Sequence, residues 1–138
     1  MDTHHIISAF THGMAFTSSI NGHTKVTDTT ADGGGNDEGP SPKRLMLASL
    51  AGCTGIDVVS ILNKMKTAFS DLSIDITATL TDEHPKIYKE VKMIYKIRIA
   101  EEERSKMEKA VKLSEEKYCG VNAMFRKFAK VEHEIVYL

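Results

Sequence analysis

With 138 residues, 41% of them hydrophobic and 27% charged, the chain has the make-up of one ordinary globular domain, long enough to bury a single core. Its formal net charge of -1 removes the electrostatic case for nucleic acid or an anionic membrane surface as partner. Met1-Asp2-Thr3-His4-His5 has neither a basic lead nor a continuous apolar stretch, so no secretory signal is expected and a cytoplasmic location is.

Met14 to Ile20 and Lys25 to Thr29, joined through Asn21-Gly22, read as a β-hairpin with a tight turn. Thr30 to Gly39 follows, polar and rich in glycine, and reads as a mobile loop. Ser41-Pro42 then starts a helix: serine accepts from an orphan amide, and proline at the first position gives up an amide that had no partner. The helix is expected to run to about Lys66, apolar nearly all round from Leu45 to Ile61 with Asp57 as the only charge. Ser49, Thr54, Asp57, Ser60 and two glycines make that stretch a poor membrane span, so a buried core helix is expected. One short chain has few elements to cover it, which points to a second copy.

Leu72, Ile74, Ile76, Ala78 and Leu80 alternate with polar residues, and so do Val91, Met93, Tyr95, Ile97 and Ile99. Both segments carry the period of two of half-buried strands. A second helix starts near Glu101 to Ser105, with Met107, Ala110, Val111 and Ser114 on one stripe and Glu102/Lys106 and Glu108/Lys112 as supporting pairs. Gly120 should interrupt it and leave Cys119 near the start of a short helix through Met124, Phe125 and Phe128. Val131, His133, Ile135 and Tyr137 alternate as a closing strand. The order is β-β-α-β-β-α-α-β, a single α+β domain over 1–138 without internal repeats.

The two cysteines, Cys53 and Cys119, each sit in a short apolar segment with a glycine within two residues. In a reducing compartment such a pair is either inert core or catalytic, rather than a permanent bridge. Two cysteines are too few for a zinc site without histidines, and His4, His5, His12, His23, His84 and His133 are scattered without ligand spacing. No metal is therefore assigned. Gly33-Gly34-Gly35 lacks the lysine pattern of a phosphate loop, and no cofactor is assigned either. Asp57, one turn after Cys53, reads as structural, because a carboxylate beside a thiol raises its pKa. His133 reads as a satisfied core or interface histidine. Met46, Met107 and Met124 read as core filler, although a methionine-rich pocket also suits an alkyl chain.

Gly39-Pro40-Ser41-Pro42 leading into Gly52-Cys53-Thr54-Gly55-Ile56-Asp57-Val58-Val59, and later Leu113-Ser114-Glu115-Glu116-Lys117-Tyr118-Cys119, resemble the OsmC/Ohr family of thiol-dependent peroxidases. The likeness covers nearly the whole chain and is closer to the OsmC-like branch than to the organic hydroperoxide resistance enzymes. It implies an intertwined α+β homodimer of OsmC-like fold, the long cysteine helix buried at its centre and two active sites at the subunit interface. By the same resemblance Cys53 would be the peroxidatic thiol, oxidised to a sulfenic acid, and Cys119 the resolving thiol. A dithiol, free or on a lipoylated protein, would restore the pair, and the activity would be hydroperoxide reduction in a stress response. Family peroxidases place an arginine on the N-terminal sheet and a glutamate ten residues before the thiol. Here Lys43 stands at that position, Arg44 follows, and no arginine precedes it. Lys43 and Arg44 are thus the candidate cations near the thiol. Nine or ten residues of helix span about 14 to 15 Å, so either would need a bend or a chain crossing at the dimer interface to reach it. Two other classes stand beside the enzyme: a non-catalytic dimeric module that holds a small hydrophobic ligand, and a thiol redox sensor.

Overall fold

A computed structural model describes residues 1–138. The chain falls into two compact units, Met1–Leu47 and Ala48–Leu138, the boundary lying inside one long helix.

In the first unit β1 (Ile7–His12), β2 (Ala15–Ile20) and β3 (His23–Thr27) form an antiparallel sheet in that order. Asn21 and Gly22 both take positive φ, 36° and 87°, as a two-residue hairpin turn demands. The sheet has one strand more than the sequence reading. β1 pairs with β2 from Ile7↔Ser19 to Phe10↔Phe16, yet all six of its residues are exposed. A strand that buries neither face has no reason to alternate.

The glycine-rich loop is also better organised than its composition predicts. The Asp28 carboxylate accepts from the amides of Thr29, Asn36 and Glu38 at 2.7, 3.2 and 3.1 Å, folding the loop around one buried side chain. Those donors, Glu38 foremost, hold the Asp28 carboxyl below the usual carboxylate range. A Cβ on Gly35 would run into the carbonyl oxygen of Thr29, so that glycine serves close packing.

The helix announced by Ser41-Pro42 is α1 (Pro42–Lys64). In the second unit β4 (Phe69–Leu80) pairs antiparallel with β5 (Tyr88–Ile99), which pairs parallel with β6 (Lys130–Tyr137). The crossover from β5 to β6 holds α2 (Arg104–Leu113), a π-helical turn at Ser114–Tyr118 and α3 (Gly120–Phe125). The core gathers alternate residues of β5 (Val91, Met93, Tyr95, Ile97) with Leu50, Val58 and Leu62 of α1, Met107, Ala110 and Val111 of α2, and Phe125 of α3. Each large apolar side chain so buried contributes roughly 1.5–3 kcal/mol of transfer free energy.

Some local expectations are revised. Lys106 pairs with Glu103 at 2.7 Å rather than with Glu102. Met107 is buried as expected, while Met46 and Met124 are exposed on the single chain. α1 itself buries one stripe only, Leu50, Thr54, Val58 and Leu62, and Ile56 stands 72% exposed. By length and hydropathy α1 would suit a membrane, but its mid-helix polar residues are engaged inside the unit: Thr54 is fully buried and Asp57 is hydrogen-bonded.

Candidate functional site

Three side chains converge in the second unit. α1 supplies Cys53 and Asp57, four residues apart and therefore on one helical face. The third comes from the end of the π-helical turn, where the widened backbone turns Ser114 and Glu115 inward and delivers Cys119 in an extended conformation (φ -81°, ψ 102°). The Cys119 amide donates to Ser114 O at 2.7 Å, closing that turn. The Cys53 and Cys119 sulfurs and a carboxylate oxygen of Asp57 all lie within 4.8 Å of one another. Both thiols are free.

The two sulfurs differ in surroundings. Cys53 is half-buried, whereas Cys119 is only 3% exposed and accepts from the Asn122 amide at 3.2 Å. Burial, followed by its contact with Cys53, pushes the Cys119 thiol up to about 12, against the opposing pull of the Asn122 amide. Cys119 is consequently protonated at neutral pH. Asp57 is held by Ser114, whose hydroxyl donates to Oδ2 at 3.0 Å.

A second polar cluster lies in the same unit. Glu115, 7% exposed, accepts from the Tyr95 hydroxyl at 3.3 Å, meets His133 Nδ1 at 2.8 Å and has Arg126 Nη2 at 3.8 Å. Burial raises the carboxyl of Glu115 and also raises the Tyr95 phenol, to which the Glu115 charge adds. His133, expected as a satisfied core or interface histidine, finds its partner here but is exposed on the single chain rather than in the core. Asn122 ties α3 down by accepting from Arg126 Nε at 2.6 Å and donating to Met93 Sδ at 3.9 Å.

Two concave surfaces adjoin α1. A cavity of about 420 Å³ is lined by Asp57, Ile61, Lys64, Met65, Leu113 and Tyr118, mainly apolar beside one acid and one base. A shallower groove of about 720 Å³ runs along Gly52, Gly55, Ile56 and Val59 to Leu72 and Ile74 of β4.

Of the residues singled out from sequence, Cys53 and Cys119 meet, and Asp57 joins them. Lys43 and Arg44 belong to the other unit, where Arg44 Nη1 donates to Ser41 Oγ at 3.2 Å. The first turn of α1 contains no acid, in keeping with the missing glutamate. The sequence marks Ser114 and Tyr95 only as helix-stripe and strand residues, and Glu115 only as part of the family motif. Only the break before Gly120 hinted that the chain reshapes itself there.

Comparison with known proteins identifies the fold and the family. Residues 34–134 match the family model described as OsmC-like protein. Protein YhfA of Escherichia coli K12 is 32% identical over 102 residues, covering 74% of this chain and 76% of its own. A hypothetical protein from Aquifex aeolicus VF5 superimposes with a TM-score of 0.82 at 29% identity, covering 100% of this chain and 99% of that one. An organic hydroperoxide resistance protein OsmC from Legionella pneumophila shares the fold at a TM-score of 0.72 and 17% identity, with coverage of 99% and 98%. The chain belongs to the OsmC-like protein family.

Proposed function

We propose that the chain is a thiol-dependent redox protein that reduces organic hydroperoxides through Cys53 and Cys119, working as a cytoplasmic homodimer. The observation that carries this reading is the approach of two free sulfurs, one half-buried and one buried, to within 4.8 Å. Cys53, the more accessible sulfur, attacks the distal peroxide oxygen as thiolate; with one proton taken up, the products are a Cys53 sulfenic acid and an alcohol. The Cys119 thiol then condenses with the sulfenic acid, releasing water and forming the disulfide. An external dithiol returns both sulfurs to thiols and becomes a disulfide itself. Protonation of Cys119 suits this division, since a thiol that stays protonated does not compete for the peroxide.

The apolar wall of Ile61, Met65, Leu113 and Tyr118 beside Asp57 suits the alkyl part of an organic hydroperoxide. Exposed Ile56 and the groove along α1 suit a second copy, which would cover the faces that one chain leaves open. With the family's arginine and glutamate absent, Lys43 or Arg44 of the second subunit is the candidate cation for the Cys53 thiolate.

The test is single-turnover titration of reduced protein with cumene hydroperoxide and with hydrogen peroxide, following free thiols and intact mass. Loss of two thiols with a mass decrease of about 2 Da, faster for the organic peroxide, is the expected result. Oxidation no faster than free cysteine would remove the peroxidase. A non-catalytic module that keeps an apolar ligand in the 420 Å³ cavity would then lead, and native mass spectrometry would find that ligand retained.

A further inference from the structure

We infer that the reduced Cys53–Asp57–Cys119 cluster is a binding site for a borderline-soft divalent cation, Zn²⁺ foremost. The inference goes beyond peroxide chemistry and does not depend on it. Two donors four residues apart on a helix, joined by a third from a distant turn, repeat the way helices present zinc ligands. Two thiolates and a carboxylate are the donor types zinc selects, at about 2.3 Å from sulfur and about 2.0–2.2 Å from oxygen. Tetrahedral placement at those lengths puts neighbouring donors roughly 3.5–3.8 Å apart. Three donors already within 4.8 Å of one another need shifts of only about an ångström. Two cysteines and scattered histidines do not by themselves make a zinc site in the sequence. The fold makes up the count with a carboxylate.

The surroundings fit as well. The Ser114 hydroxyl on Asp57 Oδ2 and the Asn122 amide on Cys119 Sγ are the outer hydrogen bonds that orient metal ligands and ease the charge on a bound thiolate. Charge also balances. Two thiols and one carboxylate carry -1; loading one M²⁺ expels two protons and again leaves -1, so the buried sulfur gains a counter-charge and the site gains none. The half-buried side at Cys53 leaves a fourth position for water or another small ligand. A loaded site holds both sulfurs in metal bonds, and neither is then free for oxidation or alkylation.

The experiment uses the full chain, reduced with a phosphine, stripped of metal, without oxygen, peroxide or added thiol. Co²⁺ is titrated in and then displaced by Zn²⁺. One equivalent should produce an intense near-ultraviolet sulfur-to-cobalt band with the visible bands of tetrahedral cobalt, and Zn²⁺ should release about two protons per ion. Asp57→Asn should weaken Zn²⁺ binding tenfold or more while circular dichroism stays unchanged, and Cys119→Ser should halve the sulfur band. A pale octahedral spectrum without that band, or equal Zn²⁺ affinity in wild type and Asp57→Asn, would overturn the site. Because no peroxide is present, this result stands apart from the outcome of the hydroperoxide titration.

Discussion

Replacing Cys53 by serine leaves Cys119 as the only thiol and exposes its acidity to direct measurement. At about pH 7.5 a free cysteine of pKa ~8.5 is roughly one-tenth thiolate. A thiol pushed up to about 12 has a thiolate fraction ~3,000-fold smaller. Its greater basicity returns part of that loss, because nucleophilicity rises with a Brønsted coefficient of about 0.4–0.5, a factor of roughly 40. The net result is attack on a dipyridyl disulfide about 70-fold slower than by glutathione. The substitution removes the contact with Cys53 but leaves burial, the larger cause, so the slowing should remain at least about tenfold. The rate should climb about tenfold per pH unit well past pH ~9, where glutathione levels off, and unfolding in denaturant should restore ordinary reactivity. A Cys119 that reacts within threefold of glutathione at neutral pH and saturates near pH ~8.5 would refute the reasoning.

Glu115→Ala should lower stability by about 1 kcal/mol more than Glu115→Gln, because glutamine keeps an acceptor for the Tyr95 hydroxyl and alanine leaves it Thr54 alone; urea midpoints give the difference. Asp28 has a lowered folded pKa, so its contribution is present above the unfolded carboxylate value near pH ~4 and fades as pH falls through the folded one. Asp28→Asn should accordingly melt earlier than wild type at neutral pH, with the two melting points converging in acid. Wild type should sediment as the proposed dimer and Ile56→Asp as a monomer; a wild-type mass of one chain would remove the dimer, and an Ile56→Asp mass of two chains would move the interface elsewhere.

What could be read in advance follows how locally each feature is encoded. Ser41-Pro42, the alternation in β4 and β5 and the Asn21-Gly22 turn are set by neighbours in sequence, and each reappears at its place. β1 escaped because none of its residues is buried, and the Thr30–Gly39 loop was misjudged because composition does not reveal that one carboxylate collects three amides. At the site, the cysteine pair was legible through family likeness. The meeting of Asp57 with Ser114 was not, since it joins residues 57 positions apart through a π-helical turn that no periodicity announces. Glu115 meets His133 because β6 runs parallel to β5 with Met93 opposite His133, a register fixed by tertiary packing rather than by the strand's own pattern.

The fastening of Cys119 has a mechanical consequence. Its sulfur is gripped by the Asn122 amide, its own amide closes the preceding turn, and Asn122 is anchored to Arg126 and Met93. A disulfide requires the sulfurs to draw in to about 2.05 Å, and a part clamped from three directions is ill suited to travel. In the proposed disulfide the stroke falls to Cys53, beside Gly52, around which the space is open on the single chain, and Gly55, which approaches only the tip of Ile74. In the proposed cycle Cys119 is then the fixed contact and the segment of α1 around Cys53 the moving one, so a side chain at Gly52, which also lines the groove assigned to a second copy, should slow closure and weaken pairing together.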